Sequence, residues 1–278
     1  MNYCSWGDSV QRYHLKIEIS LNPAQFFSLV DTMARLSLRA EARRFYFGYF
    51  WWVLEPLLYV AVFWLVFEKL LGTRTPDFLM FLAVGKLTFI WFSKTVNTAA
   101  NSLVNNAGLI ARMDLPKMIF PAVVVLECSY RQIAVFVLLA IFILVDGRQP
   151  TAHWFWLFPI AVVQILLIVA CAFIAALLVC VSRDFVPLIS LGTIFLMFMS
   201  GVFWDLNTLA DEHAAELLLV LNPLAYLLDA YRQALLWQQS PDVTHLAAMG
   251  AILVAINLAL VKVMRRYSRH IARRVISQ

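Results

Sequence analysis

The chain has 278 residues, 62% of them apolar and 14% charged, against about 45–50% and about 25% in an ordinary soluble domain. Over half of a normal folded surface is already apolar, so a soluble fold could not hide this excess, and the solvent for most of the chain is lipid. The net charge of +5 sits in short basic blocks beside apolar runs, a membrane-topology pattern rather than the basic face of a nucleic-acid-binding module.

Residues 1–21 form an amino-terminal segment that reads as cytoplasmic. Asp8, Arg12, Lys16, Glu18 and Asp31 interrupt residues 1–47, which leaves no apolar core for a cleaved signal peptide. Residues 22–44 follow as an amphipathic helix. Asn22-Pro23 supplies an N-cap with proline at the first helical position. Phe26, Leu29, Val30, Met33 and Leu36 then recur at helical spacing, opposite Asp31, Arg35, Arg39 and Arg43. An apolar face against a basic stripe describes a helix lying in the inner interface, or one packed on another subunit.

Windows of roughly 20 mostly apolar residues predict six spans, at about 49–67, 78–100, 119–145, 154–181, 186–203 and 245–264. The expected fold is therefore all-α and polytopic. The first span carries Glu55-Pro56, where local backbone rearrangement is expected. Its inner end holds Phe45, Tyr46, Phe47, Tyr49, Phe50, Trp51 and Trp52. Such a cluster covers every face of a helix: part of it reads as an interfacial belt, and part must point inward, where flat rings offer a track for sugars. In the second span, Lys86 and Lys94 lie eight apart, roughly on one face. They either snorkel to an interface or hold an anionic headgroup. The third span carries Glu127 and Arg131, an i,i+4 pair with the acid first, read as a structural ion pair lining the bundle interior, with a substrate contact as the alternative.

Arg12, Lys16, Arg35, Arg39, Arg43, Arg44, Arg112, Lys117, Arg183, then Lys262, Arg265 and Arg266 at the end of the last span and Arg269, Arg273 and Arg274 in the basic tail, residues 267–278, fall on one side of these spans, against only Lys69, Arg74, Arg148 and Arg232 on the other. The positive-inside rule puts both termini in the cytoplasm. Residues 204–243 are acidic, with Asp205, Asp211, Glu212, Glu216, Asp229 and Asp242, and hold two short apolar runs around Asn222-Pro223. Neither run is long enough to cross, so an outer re-entrant helical segment is expected, tolerated only where protein or a water-filled cavity satisfies its backbone.

Chemistry is otherwise sparse. Cys4, Cys128, Cys171 and Cys180 form no CxxC pair, and the five histidines are scattered, so no metal site is expected. Phosphate-binding GxxxxGK[ST], HExxH and GxSxG motifs do not occur. No catalytic residue is therefore named, and the energy for transport must come from elsewhere.

Four stretches, in this order, resemble the permease subunit of type-2 ABC exporters that move lipid-linked polysaccharides: Arg44 to Pro56 (RFYFGYFWWVLEP), Asn106 to Pro121 (NAGLIARMDLPKMIFP), Ser182-Arg183-Asp184, and Leu221 to Leu235 (LNPLAYLLDAYRQAL). The resemblance covers about residues 22–266, with the type-2 transmembrane domain at 45–266. It implies no cofactor in this chain, a second copy of it, two cytoplasmic ATPase subunits that carry ATP and Mg, and a channel between the permeases. It assigns ATPase coupling to Leu109, Ile110, Ala111, Arg112, Met113 and Asp114, and an outer gate to Asn222, Pro223, Tyr226 and Arg232. Asp114 close to Arg112 departs from the more basic coupling segment usual in the family. The expected function is export of an undecaprenyl-linked polysaccharide, O-antigen favoured, across a bacterial inner membrane. Arg39, Arg43, Arg44 and Lys86 are the headgroup candidates, and Tyr46, Tyr49, Phe50, Trp51 and Trp52 the pathway aromatics. The alternatives are export of a small molecule such as a drug, and a membrane-embedded lipid-processing enzyme.

Overall fold

A computed structural model describes residues 22–44, 46, 48–66, 78–113, 115–205 and 218–277. The segment 1–21, Phe45, Phe47, Lys69, Arg74, Asp114, Asp211, Glu212 and Glu216 lie outside the described residues. In hydrocarbon a backbone must satisfy its own polar groups, which favours helices, and every regular element among the described residues is helical. In chain order these are α1 (Pro23–Arg44), a 3-10 turn (Gly48–Phe50), α2 (Trp51–Phe63), α3 (Phe78–Ala100), α4 (Ser102–Asn105) and α5 (Ala107–Arg112). Then come α6 (Ile119–Val145), a second 3-10 turn (Ala152–Trp156), α7 (Leu157–Val181), α8 (Phe185–Met199), α9 (Pro223–Leu235), α10 (Val243–Arg266) and α11 (Ser268–Ser277).

Five stretches among the described residues are long and apolar enough to cross a bilayer: Gly48–Val66, Phe78–Ala100, Ile119–Val145, Ala152–Val181 and Val243–Arg266. The span expected at 186–203 is α8, 15 residues long, or about 22 Å at 1.5 Å per residue against a core of roughly 30 Å. The helix ends before Gly201, which takes a left-handed φ of +67°. The carbonyls of Gly201 and Val202 there accept from the Arg232 guanidinium, at 2.9 and 3.3 Å. Those contacts end the helix short of its apolar window.

α3 sits at the centre, packed on α6, α7, α8 and α9. Its buried side includes Leu82, Val84, Leu87, Phe89 and Ala99. Thr88 and Thr95 turn their hydroxyls back to the carbonyls of Val84 and Trp91, each at 2.6 Å. Gln164 of α7 donates to the Thr88 carbonyl at 2.9 Å. Inside a bundle such bonds bind helices together where apolar contact alone gives no preference over lipid.

α1 lies on α6 of its own chain. Val30 and Ala34 are buried against Leu115, Ile119 and Val123, and Leu38, a further four residues on, is buried as well. Leu36, expected on the apolar face, is exposed, because the helix is rotated to bring Ala34 and Leu38 inward. The α1–α2 junction needs Gly48, whose φ is +51°, a conformation that costs a residue with a Cβ. The carboxy-terminal stretch, read from the sequence as a basic tail, forms helix α11. It buries Ile271 and Val275 and packs on α5 and α7.

Candidate functional site

One face of α3 is polar. Lys86, Ser93, Lys94 and Asn97 recur at i, i+7, i+8 and i+11, which share a helical face, and all four are half-buried. α2 and α8 flank this strip. Lys86 Nζ lies 3.0 Å from the Met197 sulfur, and the rings of Tyr59, Phe63 and Phe203 lie 5.7–6.0 Å away, within cation–π range. Asn97 donates to Thr193 Oγ1 at 3.0 Å and accepts from Ser190 Oγ at 2.8 Å. On either side α2 exposes Leu57, Leu58 and Val62, and α8 exposes Leu188, Leu191, Phe195 and Phe198. The face is too polar to lie against lipid and too apolar to lie in bulk water.

A charge cluster closes the strip toward the end of α2 that carries Trp51 and Trp52. Lys94 Nζ pairs with Glu55 Oε2 at 2.7 Å. Arg131 of α6 bonds Glu127 on its own helix and reaches Glu41 of α1 at 2.6 Å. Five charges thus link four helices. Trp52, Glu55, Tyr59, Trp91, Lys94 and Arg131 surround a cleft of about 50 Å³, room for a few waters. On α1, burial pushes the Glu41 carboxyl above its ordinary range and outweighs the opposing pull of Arg131. Further along α1, Tyr130 donates to Asp31, and Arg35 bonds the same carboxylate at 2.9 Å. These two partners hold Asp31 below the usual carboxylate range.

The sequence expectation for Glu127 and Arg131 matches an observed ion pair. It missed Glu41, and it missed Glu55 as the partner of Lys94. Depth could have found the second: Glu55 lies six residues into the first span and Lys94 six from the end of the second, each about 9 Å along its helix. Among the aromatics, Tyr46, Tyr49 and Phe50 are exposed, Trp51 is half-buried, and Trp52 enters the cleft while packing edge-on to Tyr49 at 4.9 Å. Arg39 and Arg43 are exposed on α1 and stand apart from Lys86. The Arg44 side chain lies outside what is described.

The expected coupling residues split by face. Ile110 is buried with Phe120, Met264 and Ile271, and Leu109 is half-buried. Ala111, Arg112 and Met113 are exposed.

The expected gate residues form the start and core of α9. Asn222 caps it, accepting from the amides of Leu224 and Ala225 at 3.1 and 3.3 Å, and Pro223 occupies the first turn. Tyr226 donates to the Asp242 carbonyl at 2.6 Å and stacks on His245. Arg232, counted from the sequence as an outer loop charge, is instead 1% exposed. It lies 3.5 Å over the Phe81 ring and binds the Gly201 and Val202 carbonyls. At 13 residues, or about 20 Å, α9 is too short to cross and is buried along nearly its whole length. This is the short, protein-covered segment expected from the broken apolar runs.

The family model for ABC-2 type transporter matches residues 28–236, a range that takes in α2, α3, α8, the charge cluster and α9. The chain belongs to that family. An ABC-2 chain of this kind is the membrane subunit of a transporter. It is similar to the O-antigen export system permease protein RfbA of Myxococcus xanthus, 28% identical over 233 residues, which cover 84% of this chain and 89% of the relative. Two Klebsiella pneumoniae proteins of the same name are 21% and 22% identical over 220 and 219 residues, which cover 79% and 78% of this chain and 84% of each relative. As an ABC-2 membrane subunit with several spanning helices, it is a multi-pass membrane protein that works with an ABC ATPase.

Proposed function

We propose that the chain is the permease of an ATP-driven exporter that carries an undecaprenyl-linked O-antigen polysaccharide across a bacterial inner membrane. The observation that carries this reading is the polar, aromatic-flanked face of α2, α3 and α8, in a chain similar to permeases named for O-antigen export. Two copies facing each other there would enclose a path with hydrogen-bonding groups along α3 and flat rings from α2. Sugars suit such a lining, since hydroxyls take hydrogen bonds and ring faces stack on aromatics. Arg39, Arg43 and Lys86 remain the candidates for the carrier's phosphates.

Both termini face the cytoplasm in this reading, as the basic residues require. ATP and Mg are held by two separate ATPase subunits. The exposed side of α5, with Ala111, Arg112 and Met113, receives their push, while its buried side passes the motion to α11 and to α10 through Ile271 and Met264. α9 is the outer gate, and opening it requires the Tyr226–Asp242 and Arg232 contacts to yield. Drug export or lipid processing gains no support from the relatives.

Reconstitution tests the proposal. Proteoliposomes that contain the permease, its ATPase and labelled lipid-linked polysaccharide should move sugar to the opposite face only with ATP. Transport by the permease without any ATPase contradicts it.

A further inference from the structure

Between α1, α6, α7 and α10 lies a groove of about 790 Å³, within the ~300–1,000 Å³ of ligand pockets. It lies apart from the polar face of α3. Its walls are apolar, with Phe26 and Val30 of α1, Val169 and Phe173 of α7 and Val261 of α10. Its reach follows from helix geometry. Asn257, in its wall, lies eight residues from Arg265 at its mouth, about 12 Å along α10. Beside α6 the lining runs from Met118 to Ser129, eleven residues, about 16 Å. The groove thus runs from one end of the spans to about the middle of a ~30 Å core, in the direction of an acyl chain.

The polar groups of the deep wall already use their donors: Asn257 donates to the Leu166 and Leu253 carbonyls at 2.9 and 2.8 Å, and Ser129 to the Val125 carbonyl at 2.7 Å. The cations that line the groove are Lys117, which is buried, and Arg265, which is exposed.

We propose that this groove binds one anionic glycerophospholipid from the leaflet that contains the chain's termini, with an acyl chain along α7 and α10 and its phosphate facing the exposed Arg265. A lipid tail gains no hydrophobic advantage by leaving the bilayer for an apolar wall. Selection must therefore come from the headgroup, and charge complementarity supplies it. The bound lipid forms part of the wall against which α1 rests and ties α1 to α10.

The test titrates the purified full-length chain in detergent with dioleoyl phosphatidylglycerol or dioleoyl phosphatidylcholine and counts adducts by native mass spectrometry, a readout independent of membrane orientation and of the transported substrate. One phosphatidylglycerol should be retained, about fivefold more tightly than phosphatidylcholine for each cation engaged. Arg265→Gln should narrow that ratio. Val261→Trp fills the groove and should remove the adduct; Ala122→Leu, on the α6 wall, serves if the first variant folds poorly. Equal retention of both lipids, or an adduct that survives a filled groove in a folded variant, overturns the proposal. So does a groove covered by a second copy, which would show no adduct and a smaller dimer fraction in Val261→Trp.

Discussion

Replacing Gly85 with alanine tests how α9 is held. A Cβ at Gly85 would lie 2.3 Å from Arg232 Nη2, far inside contact distance, so the guanidinium must leave its place. It would lose its bonds to the Gly201 and Val202 carbonyls. Hydrogen bonds from a charged donor contribute about 1.5–3 kcal/mol each, and at 1% exposure water does not replace them, so the loss is about 3–6 kcal/mol. Alanine returns about 0.5–1 kcal/mol of helix preference over glycine. The net expectation for Gly85→Ala is a destabilisation of about 2–5 kcal/mol, read as loss of folded protein in thermal or denaturant titration of the purified permease. The decisive arm is the double-mutant cycle. On an Arg232→Met background the clash is gone, and Gly85→Ala should turn neutral or stabilising by up to about 1 kcal/mol. A destabilisation of equal size on both backgrounds would show that the added methyl does not act by displacing Arg232.

Three further outcomes follow from the charge cluster, α1 and α9. Lys94→Glu places a fourth carboxylate beside Glu41, Glu55 and Glu127 with only Arg131 to offset them, so export should fall; adding Glu55→Lys should recover it, and no recovery would deny the pair its role. On α1, the raised pKa of Glu41 makes the docked helix take up a proton as pH falls through that raised value, so docking strengthens there. Asp31, held below its ordinary value near 3.9, favours docking above that value and loses its contribution as pH falls through the lowered one. Hydrogen exchange of α1, corrected for intrinsic rates, should therefore show protection rising and then falling on acidification. Glu41→Gln removes the rise and Asp31→Asn the fall; a steady decline from neutral pH in the unaltered chain would contradict the assignment. In α9, Tyr226→Phe removes one hydrogen bond to the Asp242 carbonyl, with an expected loss of about 1 kcal/mol of stability and faster labelling of a cysteine placed at Val243.

Apolar length was legible because lipid demands it: the second and third spans, 78–100 and 119–145, coincide with α3 and α6. Which helix sits at the centre was not legible. By composition α3 is the most polar of the five long spans, yet it is central because Thr88 and Thr95 satisfy their hydroxyls within the helix and its lysines collect on one side. Window hydropathy averages over faces and loses that distinction. Arg232 misled for a related reason. An arginine in a broken apolar segment reads as a loop charge, whereas three-dimensional proximity supplies it with the free carbonyls beyond α8. The i,i+4 pair Glu127–Arg131 was readable because its partners share a helix. Glu41 and Glu55 reach partners on other helices, and only matching depth in the bilayer could have suggested them.

In the proposed path the polymer passes between two copies along the face formed by α2, α3 and α8. In a cysteine-free background, Leu191→Cys places a thiol on the exposed side of α8, and Ile252→Cys places one on the exposed side of α10. Oxidative crosslinking in membranes, with polysaccharide export measured before and after reduction, tests that path directly. Leu191→Cys is expected to crosslink two copies and block export until reduced, while Ile252→Cys does neither. Crosslinking through α10 alone, or uninterrupted export with α8 faces covalently joined, would contradict it.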